Sequence, residues 1–127
     1  MATNADKSLA SKLGFEPGDT VYVETTPDWY SDFIDAAGLD MEPGLPATHA
    51  HIFCEHEAEL VDFLENNDLH DLEKSLWISW PKKSSGMQTD LGEDEIRAAV
   101  LPLGWVDVKV AAVDDTWSGL KFLRRKK

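Results

Sequence analysis

The sequence predicts a small α/β fold of three layers, a mainly parallel sheet with helices on both faces and an antiparallel hairpin at the C-terminal end. Three observations predict it. Apolar, β-branched segments alternate with helical segments along most of the chain, and that order calls for parallel pairing, because short hairpins cannot join parallel neighbours. Right-handed crossovers between such strands put helices on both faces. The last two apolar segments are separated only by a short turn, so they pair antiparallel.

The elements follow in order. Lys7–Leu13 reads as a helix that Gly14 stops, since glycine enters the left-handed conformation cheaply. Glu16-Pro17-Gly18-Asp19 is a turn into the first strand, Thr20-Val21-Tyr22-Val23-Glu24. Thr25-Thr26-Pro27 breaks that strand, and Asp28 is placed to N-cap a helix over Trp29–Ala37 that ends at Gly38. The Pro- and Gly-containing stretch Leu39–Thr48 reads as irregular, with room for one very short strand. Ala50–Cys54 is the second clear strand, and Glu57–Glu65 a helix with Leu60, Val61, Phe63 and Leu64 on its apolar stripe and Asn66-Asn67 closing it. Leu76-Trp77-Ile78-Ser79-Trp80 is a third strand, apolar enough to be buried on both faces. The loop Pro81–Thr89 leads through Thr89 or Asp90 into a helix over Glu93–Leu101, which Pro102 and Gly104 end. Val106, Val108 and Val110 alternate with Asp107 and Lys109 as a half-exposed strand, and Asp114-Asp115-Thr116 turns into the last strand near Leu120–Arg124. With no repeat and no linker, residues 1–127 read as one domain, with 1–6 and 125–127 as flexible ends.

A parallel sheet finished by an antiparallel hairpin resembles the second half of a Rossmann-like methyltransferase sheet. By that analogy the last strand inserts beside Leu76–Trp80, and Val106–Ala112 becomes the edge, where Asp107 and Lys109 discourage strand-to-strand association. Ligands of such sheets sit outside the carboxyl ends of the parallel strands. Those ends are Thr25–Trp29, Cys54–Glu57 and Trp80–Thr89, and the hairpin tip at Trp117-Ser118-Gly119 falls on the same rim.

Charge narrows the partners. The chain carries a net −12, unevenly placed: residues 1–73 hold 17 acids against Lys7 and Lys12, while residues 74–127 hold seven acids against ten Lys and Arg. Such a surface repels nucleic acid and anionic lipid, and no apolar run reaches the roughly 20 residues that span a bilayer. A single cysteine, Cys54, forms no internal disulfide, so a cytoplasmic setting is expected.

The rim holds the candidate site. Lys82, Lys83, Ser84, Ser85 and Gly86 at a strand's carboxyl end offer charge and hydroxyls to a phosphate or carboxylate. Asp114, Trp117 and Ser118 face them from the hairpin, and Trp80 and Trp117 serve either as stacking walls or as core. Cofactor chemistry is not expected. The turn Thr25-Thr26-Pro27 lacks the glycines that let backbone N–H groups approach a dinucleotide or adenosyl-methionine, and Pro43-Gly44 after Glu42 leaves little room for a second strand. His49, His51, Cys54 and His56 crowd eight positions, but strand alternation divides them between two faces, so a buried Cys54 with surface histidines is expected rather than a metal site.

Leu9-Ala10-Ser11-Lys12-Leu13-Gly14, Trp77–Gly86, Thr89-Asp90-Leu91, Arg97, Leu101-Pro102-Leu103-Gly104, Val106–Val110 and Asp114–Lys121 together resemble the bacterial domain of unknown function 3052 family. The likeness is strongest from Leu76 onward and weakest across Trp29–Asp71, where the histidine cluster departs from it. It implies a Rossmann-like domain defined by the Trp-Pro-Lys-Lys and Trp-Ser-Gly segments and carries no activity over. The expectation is a non-catalytic module that binds a small anionic ligand or a protein partner at the rim. The alternatives are a small enzyme using Lys82 or Lys83 with Asp114 or Asp115, a methyltransferase-like remnant, and docking through exposed Trp29 and Tyr30.

Overall fold

The computed structural model describes residues 4–125, with side chains from Ser8. Of the expected flexible ends, 1–3 and 126–127 lie outside the described residues, while the backbone of 4–6 belongs to the first helix. The elements are α1 (Asn4–Leu13), β1 (Thr20–Glu24), α2 (Tyr30–Ala36), β2 (Asp40–Glu42), β3 (Ala47–Phe53), α3 (Glu57–Asn66), β4 (Leu72–Pro81), α4 (Glu93–Val100), β5 (Trp105–Ala112) and β6 (Trp117–Arg124).

Six strands form one sheet in the order β2-β1-β3-β4-β6-β5. β2, β1, β3 and β4 run parallel, and β6 lies antiparallel to both β4 and β5. The hairpin therefore inserts as expected, with β6 inside and β5 at the edge. The very short strand allowed within Leu39–Thr48 exists: β2 pairs Thr20↔Asp40 through Tyr22↔Glu42 and ends just before Pro43, so that proline does not exclude a second strand.

Helices cover both faces. Under α3 and α4, Leu60, Leu72, Leu76, Ile78, Ile96, Val100, Leu120 and Phe122 form an apolar core. Under α1 and α2, Leu13, Phe15, Val21, Tyr30, Phe33, Phe53, Trp77 and Trp117 form the other. β4 is buried along most of its length because both cores meet on it: Leu76 and Ile78 face one, Trp77 the other. Gly119 on β6 makes room for Trp77, since a Cβ there would stand 2.9 Å from an indole carbon.

Two helix starts differ from expectation. Asp28 does not cap α2; Trp29 holds the cap position without a side-chain bond, and the Tyr30 N–H donates to the Pro27 carbonyl. Gly92, not Thr89 or Asp90, caps α4, because Thr89 and Asp90 are used to tie loops together. The edge-strand charges also do something different from guarding a free edge. Asp107 accepts from Arg97 of α4 at 2.8 Å, and the Lys109 ammonium donates to the Lys12 carbonyl of α1 at 2.8 Å, so the two pin β5 from opposite faces. A bulge between Asp107 and Lys109 interrupts the edge instead.

Candidate functional site

Four loops converge at the carboxyl ends of the parallel strands, joined by specific hydrogen bonds. The Lys82 N–H donates to the Thr116 carbonyl at 2.8 Å, so the β4 exit and the hairpin tip lie side by side. The Trp29 indole N–H donates to Asp114 at 2.9 Å, linking the β1 turn to the hairpin. The Thr89 hydroxyl donates to the Glu55 carbonyl, and the Glu57 N–H donates to Asp90 at 2.7 Å, linking the β4 exit to the β3 exit. Proximity follows from the sheet itself, which sets Pro81 opposite Trp117 and Trp80 opposite Ser118.

The eight sequence-predicted residues separate into three groups. Trp80 and Trp117 are core on opposite faces, each 9% exposed, and not stacking walls; Trp117 meets Phe53 edge-on with centroids 5.1 Å apart. The reason is alternation: neighbours in register on paired strands share a face, so Trp80 and Trp117, one step out of register, cannot. Asp114, Ser85 and Ser118 are engaged in structure. One Asp114 oxygen accepts the Thr116 and Trp117 N–H groups at 2.8 and 2.7 Å while the other receives Trp29, and the Ser85 hydroxyl donates to the Lys82 carbonyl at 2.6 Å. Ser118 sits within the ladder between Trp80 and Ala112. Lys82, Lys83 and Ser84 remain, the last two exposed and Lys82 half-buried, and neither lysine takes part in an ion pair among the described residues. Around them the same rim carries Glu24, Asp28, Glu55, Glu57, Asp90, Asp114 and Asp115.

The fold implies a nucleotide cofactor, and the turn after β1 does not fit one. Thr25 occupies the left-handed region at φ 55, where glycine would sit without strain, Pro27 has no N–H to give, and the Glu24 carboxylate is taken by the Tyr22 hydroxyl. Burial, and then that carboxylate, push the Tyr22 phenol up to about 12. Trp29 then closes the turn against Asp114. Glu42 does end β2, where an acid could meet a ribose, but the turn after β1 has no glycine to bring backbone donors close and loses one donor at Pro27.

Sequence reasoning missed a buried polar network on the α1/α2 face. His49 and His51 are not surface residues: they are 2% and 0% exposed. His51 lies between the Tyr30 hydroxyl (2.8 Å, Nδ1) and the Ser79 hydroxyl (2.7 Å, Nε2), and burial holds its pKa down to about 3. His49 lies between Ser75 (2.6 Å, Nδ1) and Asp19 (2.8 Å, Nε2). A carboxylate only accepts, so His49 Nε2 carries the hydrogen and Nδ1 accepts from Ser75. This serine–histidine–aspartate chain has the composition of a hydrolytic relay, but Ser75 is 1% exposed and no substrate carbonyl can reach its hydroxyl. Its function is to satisfy polar groups between β1, β3 and β4. The available signal was His49 and His51, two residues apart, beside a strand that carries Ser75 opposite His49 and Ser79 two positions beyond the partner of His51, which is visible only once the strands are paired. Tyr30 is likewise buried and Trp29 half-buried and bonded, so the pair offers no exposed aromatic docking surface. Cys54 is buried as expected, its thiol pushed up to about 12 by burial and by Glu59 and Glu24, and His56 is exposed at the N-cap of α3. Among the described residues no cluster of three or more His, Cys, Asp or Glu could hold a metal, and no helix is long and apolar enough to cross a membrane.

Known structures share the fold. A protein of the NADB-Rossmann superfamily from Streptococcus agalactiae is similar over 100% of this chain and 70% of its own, with TM-score 0.59 and 10% identity. The magnesium protoporphyrin IX methyltransferase from Synechocystis PCC 6803, with bound SAM, is similar over 94% of this chain and 79% of its own, with TM-score 0.58 and 11% identity. A SAM-dependent O-methyltransferase from Thermotoga maritima covers 100% of this chain and 67% of its own, with TM-score 0.54 and 7% identity. At these identities the likeness is one of fold, a Rossmann-like sheet of the methyltransferase type in truncated form. No curated protein matches the sequence. One family model does, over residues 52–127, and it differs in number from the 3052 resemblance while agreeing with it in kind. With more than half its length matched, the chain belongs to the family described as Domain of unknown function (DUF8412).

Proposed function

We propose that the protein is a non-catalytic Rossmann-like module of the bacterial cytoplasm that binds a small anionic ligand at the carboxyl-end rim through Lys82 and Lys83. The observation that supports this reading is the pair of lysines at the β4 exit, beside the hairpin tip and outside every ion pair among the described residues. Ligands of such sheets occupy this rim, and the cofactor-binding turn of the fold is closed here by Thr25, Pro27 and Trp29. Because carboxylates surround the two lysines, attraction for an anion depends on those two side chains. A protein partner presenting a carboxylate or phosphate would use the same pair, and the likeness to domain of unknown function 3052 rests on the same Trp-Pro-Lys-Lys segment.

The enzyme reading is less favoured. Asp114 already serves Trp29, Thr116 and Trp117, which leaves it poorly placed as the acidic partner of a lysine base. The remnant reading draws on strand order and on Glu42 at the end of β2. A thermal-shift screen with inorganic phosphate, carboxylates and nucleotides separates these. The expected outcome is stabilisation by at least one phosphate-bearing compound in the parent and none in Lys82→Glu/Lys83→Glu, with the fold kept. Binding of adenosyl-methionine unaffected by those substitutions would favour the remnant, and indifference of the parent to every anion would end the ligand reading.

A further inference from the structure

At the opposite end of the sheet, where β4 and β5 begin and β6 finishes, a cavity of about 460 Å³ opens, lined by Leu69, Leu103, Trp105, Arg124 and Arg125 with His70. That volume suits a small molecule. Leu69 and Trp105 are 7% and 2% exposed and belong to the apolar core, whereas Leu103 stands 48% exposed on a turn that ends in left-handed Gly104. The cavity thus has an apolar floor and a leucine left uncovered at its edge.

Its polar side is cationic. Arg124 Nη2 donates to the carbonyls of Leu69 at 3.1 Å, His70 at 3.3 Å and also Leu72, and its guanidinium carbon lies 5.2 Å over the Trp105 ring. These acceptors are neutral, so they orient the guanidinium without cancelling its charge, and Nε and Nη1 find no acceptor among the described residues. The Arg125 N–H donates to the Gly104 carbonyl at 2.8 Å, which fixes that residue's backbone at the cavity, and its side chain joins no ion pair among the described residues. The neighbouring carboxylate Asp68 is turned to the His70 ring and N–H at 2.8 and 3.0 Å. In a chain of net −12, two arginines outside every ion pair among the described residues, beside an apolar floor, are a local reversal of sign.

We propose that this cavity binds a small organic anion, a single carboxylate or phosphate head on an apolar body. Arg125 and the free donors of Arg124 take the head, and Leu69, Leu103 and the Trp105 ring cover the body. The site is independent of the lysine rim, from which it is separated by the length of β4.

The test titrates the full chain with phenyl phosphate and, separately, inorganic phosphate while following the Trp105 indole N–H by NMR. A saturable shift with phenyl phosphate is expected, about tenfold weaker with inorganic phosphate and about tenfold weaker in Arg125→Glu, the scale of one charge-assisted contact. Lys82→Glu/Lys83→Glu is expected to leave that binding unchanged, so failure here and failure at the rim are read separately. Equal affinity in the parent and Arg125→Glu, equal affinity for the two phosphates, or no saturable shift overturns the proposal.

Discussion

The sheet face under α3 and α4 is closed mainly by apolar side chains, whereas the face under α1 and α2 carries Tyr30, His49, His51, Ser75 and Ser79 among its aromatics. On the first face burial is its own reward. On the second, each polar group must be matched on folding, and it is: no buried side-chain polar atom among the described residues lacks a partner. The Trp77 indole shows the same discipline, donating to the Leu13 carbonyl at 2.9 Å and so tying β4 to α1. The difference teaches that two buried faces respond differently to perturbation, one to lost volume and the other to misfit and protons.

The largest expected effect tests the apolar face. Phe122→Ala empties a fully buried site and is expected to cost about 3–5 kcal/mol in chemical denaturation, by the same amount at pH 7 and pH 5. A cost below about 1 kcal/mol would mean that this face collapses freely. On the other face Gly119→Ala is expected to cost about 1–3 kcal/mol, because the new Cβ meets two Trp77 carbons at 2.9 and 3.0 Å and Ser79 Oγ at 3.2 Å. A variant as stable as the parent would show that Trp77 has room to move.

The last effect depends on pH and shrinks with acid. His51 titrates near 3 in the folded chain and near its ordinary value when unfolded, so between those values the unfolded state binds the extra proton. Its contribution is present at pH 7 and is lost as pH falls through that window. His51→Phe leaves the Tyr30 and Ser79 hydroxyls without their partner and is expected to cost about 1–3 kcal/mol at pH 7, a deficit that narrows as pH drops toward 4. A deficit constant with pH would mean that His51 is not held neutral by burial.

Much of the fold was legible from the chain alone, and particular residues say why. The succession of strands and helices along the chain and the antiparallel hairpin follow from segment spacing, which is local, whereas the inserted β6 and the edge position of β5 came from the resemblance to a methyltransferase sheet. The rim was legible as a place because the carboxyl ends of parallel strands share a side, and Lys82 N–H to Thr116 O shows the two tips meeting. Which rim residues are available was not legible. Asp114 and Ser85 have the chemistry of ligands, but their oxygens are used by turns whose partners lie two or three residues away, and by Trp29, far along the chain.

Alternation along β3 and composition decided by themselves that His49 and His51 share a face and that the chain is a net anion. Only the tertiary structure decided that this face is buried, that Ser75, Ser79, Tyr30 and Asp19 wait there as partners, and that Arg124 and Arg125 stand beside an open cavity. The physical reason is that a polar side chain's cost depends on what surrounds it, and those surroundings come from strands and helices distant in sequence.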